Sequence, residues 1–311
     1  MSAPRKFISE FGLHVCTSYC WLLQQGQLGQ LGELPDDPHI YIVGRRPRIS
    51  IDPGSVVITT DFISGRFFKH VRDERIEIQF RARNELGRTD LTVKSEYPYT
   101  EVSFVTPDGE QALFAKAALL LGLCGPMYWE HLDLEVLYVG QSYGEGGSRT
   151  AVERLQSHST LQGIYAEALR QSPDQEIWLI LLCFERYMLA SFDGITKNYQ
   201  TTIEEDDEHR RDVIYNPVSE QQEVNFTEGA LIKYFRPEYN IKYKETFPSS
   251  GHSTYEQCYA IDLNTVAVEV QTEDLMLRLW SPTVPPQWIH IAKFPLHNEQ
   301  ERRAMFDLGV P

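Results

Sequence analysis

The chain has 311 residues, of which 42 % are hydrophobic and 12 % aromatic, and it carries a formal net charge of −15. This composition excludes an intrinsically disordered chain, and the length predicts more than one domain. The acidic balance excludes a protein that coats nucleic acid through bulk positive charge, although it is compatible with a local basic groove.

The N-terminal sequence lacks the apolar core of a signal peptide. The longest apolar run, Ala112 to Cys124, contains Lys116 and is too short to span a bilayer. The cysteines are scattered, with no second pair or histidine cluster at zinc spacing. We therefore expect a cytoplasmic protein with reduced thiols and no membrane association.

Residues 1–110 are dominated by short β-branched and aromatic runs that Pro, Gly and Asp separate. These runs predict strands at Ile40–Val43, Val56–Thr59, Ile76–Phe80, Leu91–Val93 and Val102–Val105. We interpret this segment as a β-rich recognition or assembly domain. Residues 111–124 have helix-forming composition and predict a connecting helix from Gln111 to Leu123.

Residues 125–244 show a mixed α and β pattern. The sequence predicts a hairpin of strands Met127–Trp129 and Leu134–Val139, helices Thr150–His158 and Ile164–Arg170, and a buried strand Ile177–Phe184. Residues 193–222 contain the acidic cluster Glu204–Glu208 and predict a long exposed insertion. Thr227 is the expected cap of a helix that ends at Phe235, before Pro237.

Residues 245–311 form a β-rich C-terminal segment. Its alternating pattern predicts strands at Tyr259–Leu263, Val266–Val270, Leu275–Leu279 and Trp288–Ala292. These strands either form their own sheet or join the N-terminal strands. The predicted fold class is α+β, with a small mixed sheet flanked by helices in residues 125–244.

A glycine-rich loop runs from Gly140 to Ser148, directly after a predicted strand. It lacks the lysine of a phosphate-binding P-loop. Its glycine spacing also differs from the dinucleotide-binding pattern. The loop is therefore interpreted as a flexible connection between a strand and a helix.

Side chains that suit phosphate chemistry lie on both sides of this loop: Tyr128, Tyr138, Arg154, His158, Glu228 and Asn240. Arg154 and His158 are four residues apart, which puts them on one face of a helix. Glu228 is predicted in the first turn of its helix, and Asn240 lies just past the end of that helix. Arginine offers a fork of donors to phosphate, and one carboxylate can hold Mg²⁺ when waters complete its coordination.

The order of these residues resembles the GIY-YIG nuclease superfamily across residues 125–244. Pro126-Met-Tyr128 stands where the family has Gly-Ile-Tyr, and Tyr138-Val-Gly140 matches its second motif. Arg154-x-x-x-His158 matches the helix arginine and its partner, although Arg149 is a second candidate for the arginine. Glu228 and Asn240 match the family's metal-binding glutamate and its late asparagine.

The resemblance implies an endonuclease, dependent on Mg²⁺ or Mn²⁺, that hydrolyses phosphodiester bonds in nucleic acid, with DNA favoured over RNA as the substrate. Glu228 would bind the metal and Arg154 the phosphate. Tyr128 or Tyr138 would activate water, with His158 sharing that role or donating to the phosphate. Asn240 would orient the other groups. By analogy alone, the protein would be a defence or restriction nuclease.

Two alternatives stay open at this point. The module could be catalytically degenerate and bind nucleic acid or protein without cutting, which Pro126, Met127 and the net acidity favour. The acidic insertion could instead cover the basic groove of a regulated nuclease, although a solvated loop is the simpler interpretation. Residues 1–110 could bind a protein partner or drive self-assembly.

Overall fold

The computed structural model describes residues 3–143, 151–156, 159–192, 194, 196–197, 199–298 and 300–307. Its strands are β1 Glu10–Leu23, β2 Ile40–Pro47, β3 Ile49–Ile51, β4 Val57–Ile58, β5 Phe62–Val71, β6 Glu74–Arg83, β7 Thr92–Lys94, β8 Glu101–Val105, β9 Gln111–Lys116, β10 Leu134–Gln141, β11 Gln175–Ser191, β12 Thr265–Gln271, β13 Leu279–Ser281, β14 Val284–Gln287 and β15 Ile289–Pro295. Its α-helices are α1 Ala117–Leu123, α2 Ala151–Gln156, α3 Ser159–Gln171, α4 Ile203–Tyr215, α5 Glu220–Phe235 and α6 Gln257–Ala260. Short 3-10 helices lie at Gln25–Gln30, Pro53–Ser55, Pro126–Leu132, Ser253–Tyr255 and Glu273–Leu275.

A large, nearly closed sheet organises this α+β fold. Its strand order is β14-β13-β10-β2-β11-β1-β12-β15. The neighbours are antiparallel except for the parallel pairs β10 with β13 and β1 with β12. β14 and β15 lie at opposite edges of the sheet although only Trp288 separates them in sequence, so the sheet must curve until its edges approach each other.

Helix α5 packs inside this curve, because it contacts β2 and β10 as well as β12 and β15. Phe226, Ala230 and Phe235 are fully buried on α5 and belong to the main hydrophobic core. A second core covers the outer face, where α2 and α3 pack on the central strands. The sheet is therefore covered by helices on both faces at its centre.

Strand β11 shows how the sequence encodes this arrangement. Trp178 and Ile180 face the main core, whereas Leu179 and Leu181 face the second one. A strand that is buried on both faces reads as a continuous apolar run rather than an alternating one. The predicted buried strand is confirmed, and so are the helix α3 and the strands β12 and β15.

Strands from all three predicted segments share the large sheet. The N-terminal β1 pairs with the C-terminal β12, and the N-terminal β2 lies between β10 and β11. The remaining N-terminal strands form two smaller sheets. One has the order β3-β5-β4 with β6 added to β5, and the other has the order β7-β8-β9.

The predicted local hairpin is wrong. Residues 127–129 lie in the 3-10 helix Pro126–Leu132, and β10 pairs instead with β2. Pro126 lacks a backbone donor and has a φ that suits the start of a helix, while Gly125 takes a positive φ of 137° that turns the chain. Such a start is incompatible with a paired strand at this position.

Three other predicted elements change type. Gln111–Lys116 is strand β9, and only Ala117–Leu123 is helical, because pairing with β8 overrides the helical composition. The predicted strand Tyr259–Leu263 begins within helix α6, which ends at Ala260. The predicted strand Leu275–Leu279 contains the end of a 3-10 helix, and strand β13 starts only at Leu279.

The predicted exposed insertion contains a packed helix. Thr202 caps α4 and forms a capping box with Glu205, and the acidic residues of the first turn suit the positive end of the helix dipole. The imidazole of His209 is buried and stacks on Phe7, with ring centroids 3.7 Å apart. The acid cluster is thus partly explained as a helix start.

The N-cap of helix α5 lies eight residues earlier than predicted. Its N-cap is Ser219, and Glu220 and Glu223 occupy the first turn. Thr227 is a buried residue in the interior of the helix and not its cap. Glu228 therefore lies in the middle of α5, away from the favourable charge of the helix N-terminus.

Among the described residues, no helix is both long and apolar enough to cross a membrane.

Candidate functional site

The candidate site starts where β10 pairs with β2, which brings Tyr41 opposite Gly140. A Cβ atom at position 140 would lie 2.5 Å from Cζ and the hydroxyl oxygen of Tyr41, and 2.7 Å from Cε1 of Tyr138. Only glycine leaves this space open. The glycine of Tyr138-Val-Gly140 therefore lets the Tyr41 ring lie across β10, with the two tyrosine centroids 6.1 Å apart.

The hydroxyl groups of these tyrosines join a polar cluster. Tyr41 hydrogen-bonds to the side chain of Arg154 and to Tyr138. Burial raises the pKa of Tyr41, and the nearby charge of Tyr138 adds to this effect while Arg154 opposes it. Burial also raises the pKa of Tyr138, followed by the negative charge of Glu228. The four side chains are thus close enough to influence one another's ionisation.

Arg154 reaches the cluster from the short helix α2, which the fully buried Leu155 anchors in the second core. Its Nε is buried and has no hydrogen-bond partner within the described part of the chain. A buried donor left unpaired costs about 1–3 kcal/mol. The guanidinium is therefore ready to donate to an incoming acceptor such as a phosphate oxygen.

Glu228 approaches the same point from α5. Burial raises the pKa of its carboxyl group to about 7, although three kinds of contact oppose the rise. Gln141 donates from its side chain and backbone, and Arg154 and Lys242 contribute positive charge. The Gln141 amide also donates to Asn225 Oδ1 at 2.6 Å, which fixes its position. Glu228 thus carries a charge that its surroundings only partly compensate.

Asn240 holds the strand that carries Tyr138. Its Nδ2 donates to the carbonyl oxygen of Val139 at 2.8 Å, and its Oδ1 accepts from the amide of Val139 at 2.9 Å. The amide of Tyr239 donates to the carbonyl oxygen of Leu137 at 3.0 Å. The segment after α5 therefore pairs with β10 as a further strand would. Asn240 acts as a positioning residue for Tyr138 and Gly140.

The structure brings together four of the six predicted residues: Tyr138, Arg154, Glu228 and, as support, Asn240. Tyr128 lies elsewhere, in the 3-10 helix Pro126–Leu132, where its hydroxyl accepts a hydrogen bond from the backbone amide of Arg81 at 3.2 Å. Tyr41 occupies the place predicted for Tyr128, because β10 pairs with β2. His158 and the competing Arg149 lie outside the described residues.

Tyr41 could have been found in the sequence. Ile40-Tyr41 supplies two of the three residues of a Gly-Ile-Tyr motif, whereas Pro126-Met-Tyr128 supplies only the tyrosine. A hairpin normally has a short connection, and this favours Tyr128, ten residues before Tyr138, as the first tyrosine. Here strands β3 to β9 of the smaller sheets lie between β2 and β10 in the sequence, so local spacing could not reveal that β2 pairs with β10.

A divalent cation would fit Glu228 only as a single-carboxylate site. In the described ranges, no three His, Cys, Asp or Glu side chains converge in a way that could hold a metal ion. Mg²⁺ keeps several waters and is often held by one or two carboxylates together with substrate phosphates. The incompletely compensated charge of Glu228 suits such a cation, which would supply the missing positive charge.

Comparison of the chain with family models, curated proteins and solved structures gave no match.

Proposed function

We propose that this protein is a metal-dependent endonuclease that hydrolyses phosphodiester bonds in DNA, with a site similar to that of the GIY-YIG superfamily. The observation that carries the proposal is the convergence of Tyr41, Tyr138, Arg154 and Glu228. These residues come from two strands, β2 and β10, and two helices, α2 and α5, and they lie far apart in sequence. Ile40-Tyr41 then provides the first motif and Tyr138-Val-Gly140 the second.

Each residue has a role that its surroundings support. Arg154 offers an unpaired buried donor to a non-bridging phosphate oxygen, and its planar fork suits that geometry. Glu228 would hold Mg²⁺ or Mn²⁺, and the bound cation would neutralise charge that develops on the phosphate. The raised pKa of Glu228 means that protons compete with the cation below about pH 7.

The two tyrosines differ in accessibility, which separates their roles. The Tyr41 side chain is fully buried, so it cannot contact a water molecule or a phosphate directly. It orients Tyr138 and Arg154 through hydrogen bonds. Tyr138 is only partly buried and is the tyrosine that can contact the reacting groups. We therefore assign proton transfer to Tyr138 and positioning to Tyr41.

A second candidate function is nucleic-acid binding without cleavage. The pKa of both tyrosines is raised, and a tyrosine that keeps its proton is a poor general base at neutral pH. The described residues also contain no cluster of three or more metal-ligating side chains, which is compatible with binding without cleavage. In this case, Arg154 would bind phosphate and the remaining residues would only shape the site.

A cleavage assay separates the two functions. Supercoiled plasmid and labelled single-stranded DNA are incubated with Mg²⁺, Mn²⁺ or EDTA, and strand breaks are quantified. We expect metal-dependent cleavage that Glu228→Gln reduces by at least about 100-fold, since one transition-state contact is typically worth that much. The matched control is Glu208→Gln, which removes an exposed carboxylate of α4 and should leave the rate unchanged.

Tyrosine variants test the assignment of residues within the same assay. Tyr138→Phe should reduce cleavage most, Tyr41→Phe less, and Tyr128→Phe should have little effect. A large loss with Tyr128→Phe and none with Tyr41→Phe would show that the assigned site is wrong. Absence of cleavage with either metal, together with DNA binding that Glu228→Gln leaves unchanged, would reject the nuclease and support binding alone.

A further inference from the structure

Strands β5 and β6 present one exposed face that is rich in arginine. Their antiparallel register separates the side chains into two sets, and Phe67, Ile78 and Phe80 are buried on the inner side. The other set defines what we call the arginine face: Phe62, Ser64, Arg66, Phe68, His70, Arg75, Glu77, Gln79, Arg81 and Arg83. Residues 62–83 carry six Lys or Arg and three Asp or Glu, in a chain whose net charge is −15.

Two arginines of this face stack on phenyl rings in the same way. The guanidinium of Arg81 lies 3.8 Å from the centroid of Phe62, and that of Arg75 lies 5.0 Å from the centroid of Phe68. Each pair is diagonal across the ladder, because Phe62 is opposite Arg83 and Phe68 is opposite Glu77. The repeated geometry places two cation–aromatic platforms about 20 Å apart along β5.

The arginines differ in how their charge is compensated. Arg66 pairs with Asp52 at 2.7 Å and Glu77 at 3.7 Å, and Arg83 pairs with Glu85 at 3.4 Å. Arg75 and Arg81, in contrast, have no carboxylate oxygen within 4 Å among the described residues. Both are exposed, so the two stacked arginines are also the two whose donors remain available.

We propose that the arginine face binds a single-stranded nucleic acid. The free donors of Arg75 and Arg81 suit phosphate oxygens, and their planes, with the rims of Phe62 and Phe68, suit the flat faces of unpaired bases. Bases in a duplex already stack on one another and do not offer these faces. A two-stranded ribbon can enter a major groove, but β3 and β4 extend the sheet beyond β5 and make it broader.

This inference goes beyond the proposed cleavage site, since it uses no residue of that site and needs no metal. An acidic protein would satisfy the free charges but would leave the two platforms unexplained. The sequence places several Arg and Phe residues in Phe62–Val71 and Glu74–Arg83, with the buried Phe67 and Phe80 among them. Only the register, however, shows which of them share a face.

The test is a binding measurement in EDTA, which prevents metal-dependent cleavage. Fluorescence anisotropy of labelled dT20 is followed at several salt concentrations for the wild type and for Arg75→Glu/Arg81→Glu. We expect affinity at least about 10-fold weaker and a salt slope smaller by about 1.4, as expected for two lost phosphate contacts on a single strand. Arg75→Lys/Arg81→Lys keeps the charge but loses the planar stacking, and should weaken binding about 5-fold.

The matched control is Arg210→Glu/Arg211→Glu, which makes the same charge change on the exposed side of α4. Thermal unfolding confirms that each variant is folded. Wild-type affinity in Arg75→Glu/Arg81→Glu, or an equal loss in the control, would overturn the proposal. Tighter arginine-dependent binding of a 20-base-pair duplex, or efficient displacement of dT20 by polyglutamate, would do so as well. None of these outcomes depends on whether the protein cleaves DNA.

Discussion

The surroundings of two buried carboxylates of this protein, Glu10 and Glu228, shift their pKa values in opposite directions. Glu10 on β1 is fully buried, and Arg302 donates to it through Nε at 3.1 and 3.2 Å and also through Nη2. Asn264 and the backbone of Lys6 donate as well, at 3.0 and 3.1 Å. Burial alone would raise the pKa of Glu10, but these contacts outweigh it and lower the pKa.

At Glu228 the balance is reversed. Burial dominates, and the donors from Gln141 and the charges of Arg154 and Lys242 do not restore an ordinary pKa. A carboxylate with matched partners serves the fold. Arg302 pairs with Glu10 of the first strand as well as with Asp262, so the Glu10 pair joins the C-terminal segment to that strand. A carboxylate whose charge is only partly matched has capacity for a cation or a proton. Perturbed groups of this kind cluster at functional sites.

The largest expected effect on stability comes from removing the carboxylate of Glu10, whose charge Arg302 compensates. Glu10→Ala leaves the guanidinium of Arg302 buried, with Asp262 as its remaining carboxylate partner. Removing one member of a buried ion pair typically costs about 3–5 kcal/mol. We expect the free energy of unfolding to fall by that amount in urea denaturation at pH 7.

A double variant identifies the cause of this loss. Glu10→Met/Arg302→Met replaces both charges with apolar side chains of similar length, and such replacements are often close to neutral. It should therefore recover much of the stability that Glu10→Ala loses. A double variant that is less stable than Glu10→Ala would contradict the view that an uncompensated guanidinium is responsible.

Removing the charge of Glu228 should have the opposite effect and stabilise the protein. The folded-state pKa of Glu228, about 7, lies above the ordinary glutamate value of 4.5, so the folded protein binds more protons between these values. Stability is therefore lost as pH rises from 4.5 to 7 and stays lost above it. Glu228→Gln removes this penalty, and we expect the variant to be more stable than the wild type by about 2 kcal/mol at pH 8.

Denaturation at several pH values measures this difference. The gain should shrink towards zero below pH 4, where the wild-type carboxyl is protonated in both states. Added Mg²⁺ should stabilise the wild type at pH 8 but not the variant, since only a carboxylate binds the cation. A gain that is independent of pH would mean that the charge of Glu228 is not the source of the penalty.

The sequence alone predicted the parts of the molecule that depend on local pattern. The buried run of β11 and the helix α3 follow from composition and periodicity, whereas Tyr138, Arg154 and Glu228 were proposed from their resemblance to the motifs of a nuclease family. The structure places Tyr128 away from Tyr138, because strand pairing over long sequence separations is decided by tertiary packing. Nothing near Tyr138 indicates that β2 is its partner.

The difference between Glu10 and Glu228 was also invisible in the sequence. Both are single glutamates within apolar surroundings, and their partners Arg302 and Gln141 are identified only by the fold. The curved sheet brings the chain ends together around Glu10, and it encloses α5 so that Glu228 is buried. Burial and partner distance decide ionisation, and neither is a property of local sequence.

The smallest expected effect on stability comes from replacing a glycine by alanine, once beside the tyrosine pair and once near Glu10. A Cβ at Gly140 would meet the ring of Tyr41 at 2.5 Å, and a Cβ at Gly12 would meet Met305 Sδ at 2.4 Å and the carbonyl oxygen of Thr265 at 3.0 Å. Gly140→Ala and Gly12→Ala should each cost about 1–2 kcal/mol, because extra atoms in a packed interior force neighbours to move. Thermal unfolding of the two variants measures these losses.

The two variants should differ in function although their stabilities are similar. Gly140→Ala displaces Tyr41, whose hydroxyl holds Arg154 and Tyr138, so DNA cleavage should fall by at least about 10-fold at a temperature where the protein is folded. Gly12→Ala displaces a flexible methionine near Glu10 and should leave cleavage within about 2-fold of the wild type, since small residual shifts far from the reacting groups carry little weight. Equal losses in both variants would mean that cleavage follows overall stability, and that the tyrosine pair has no specific part in it.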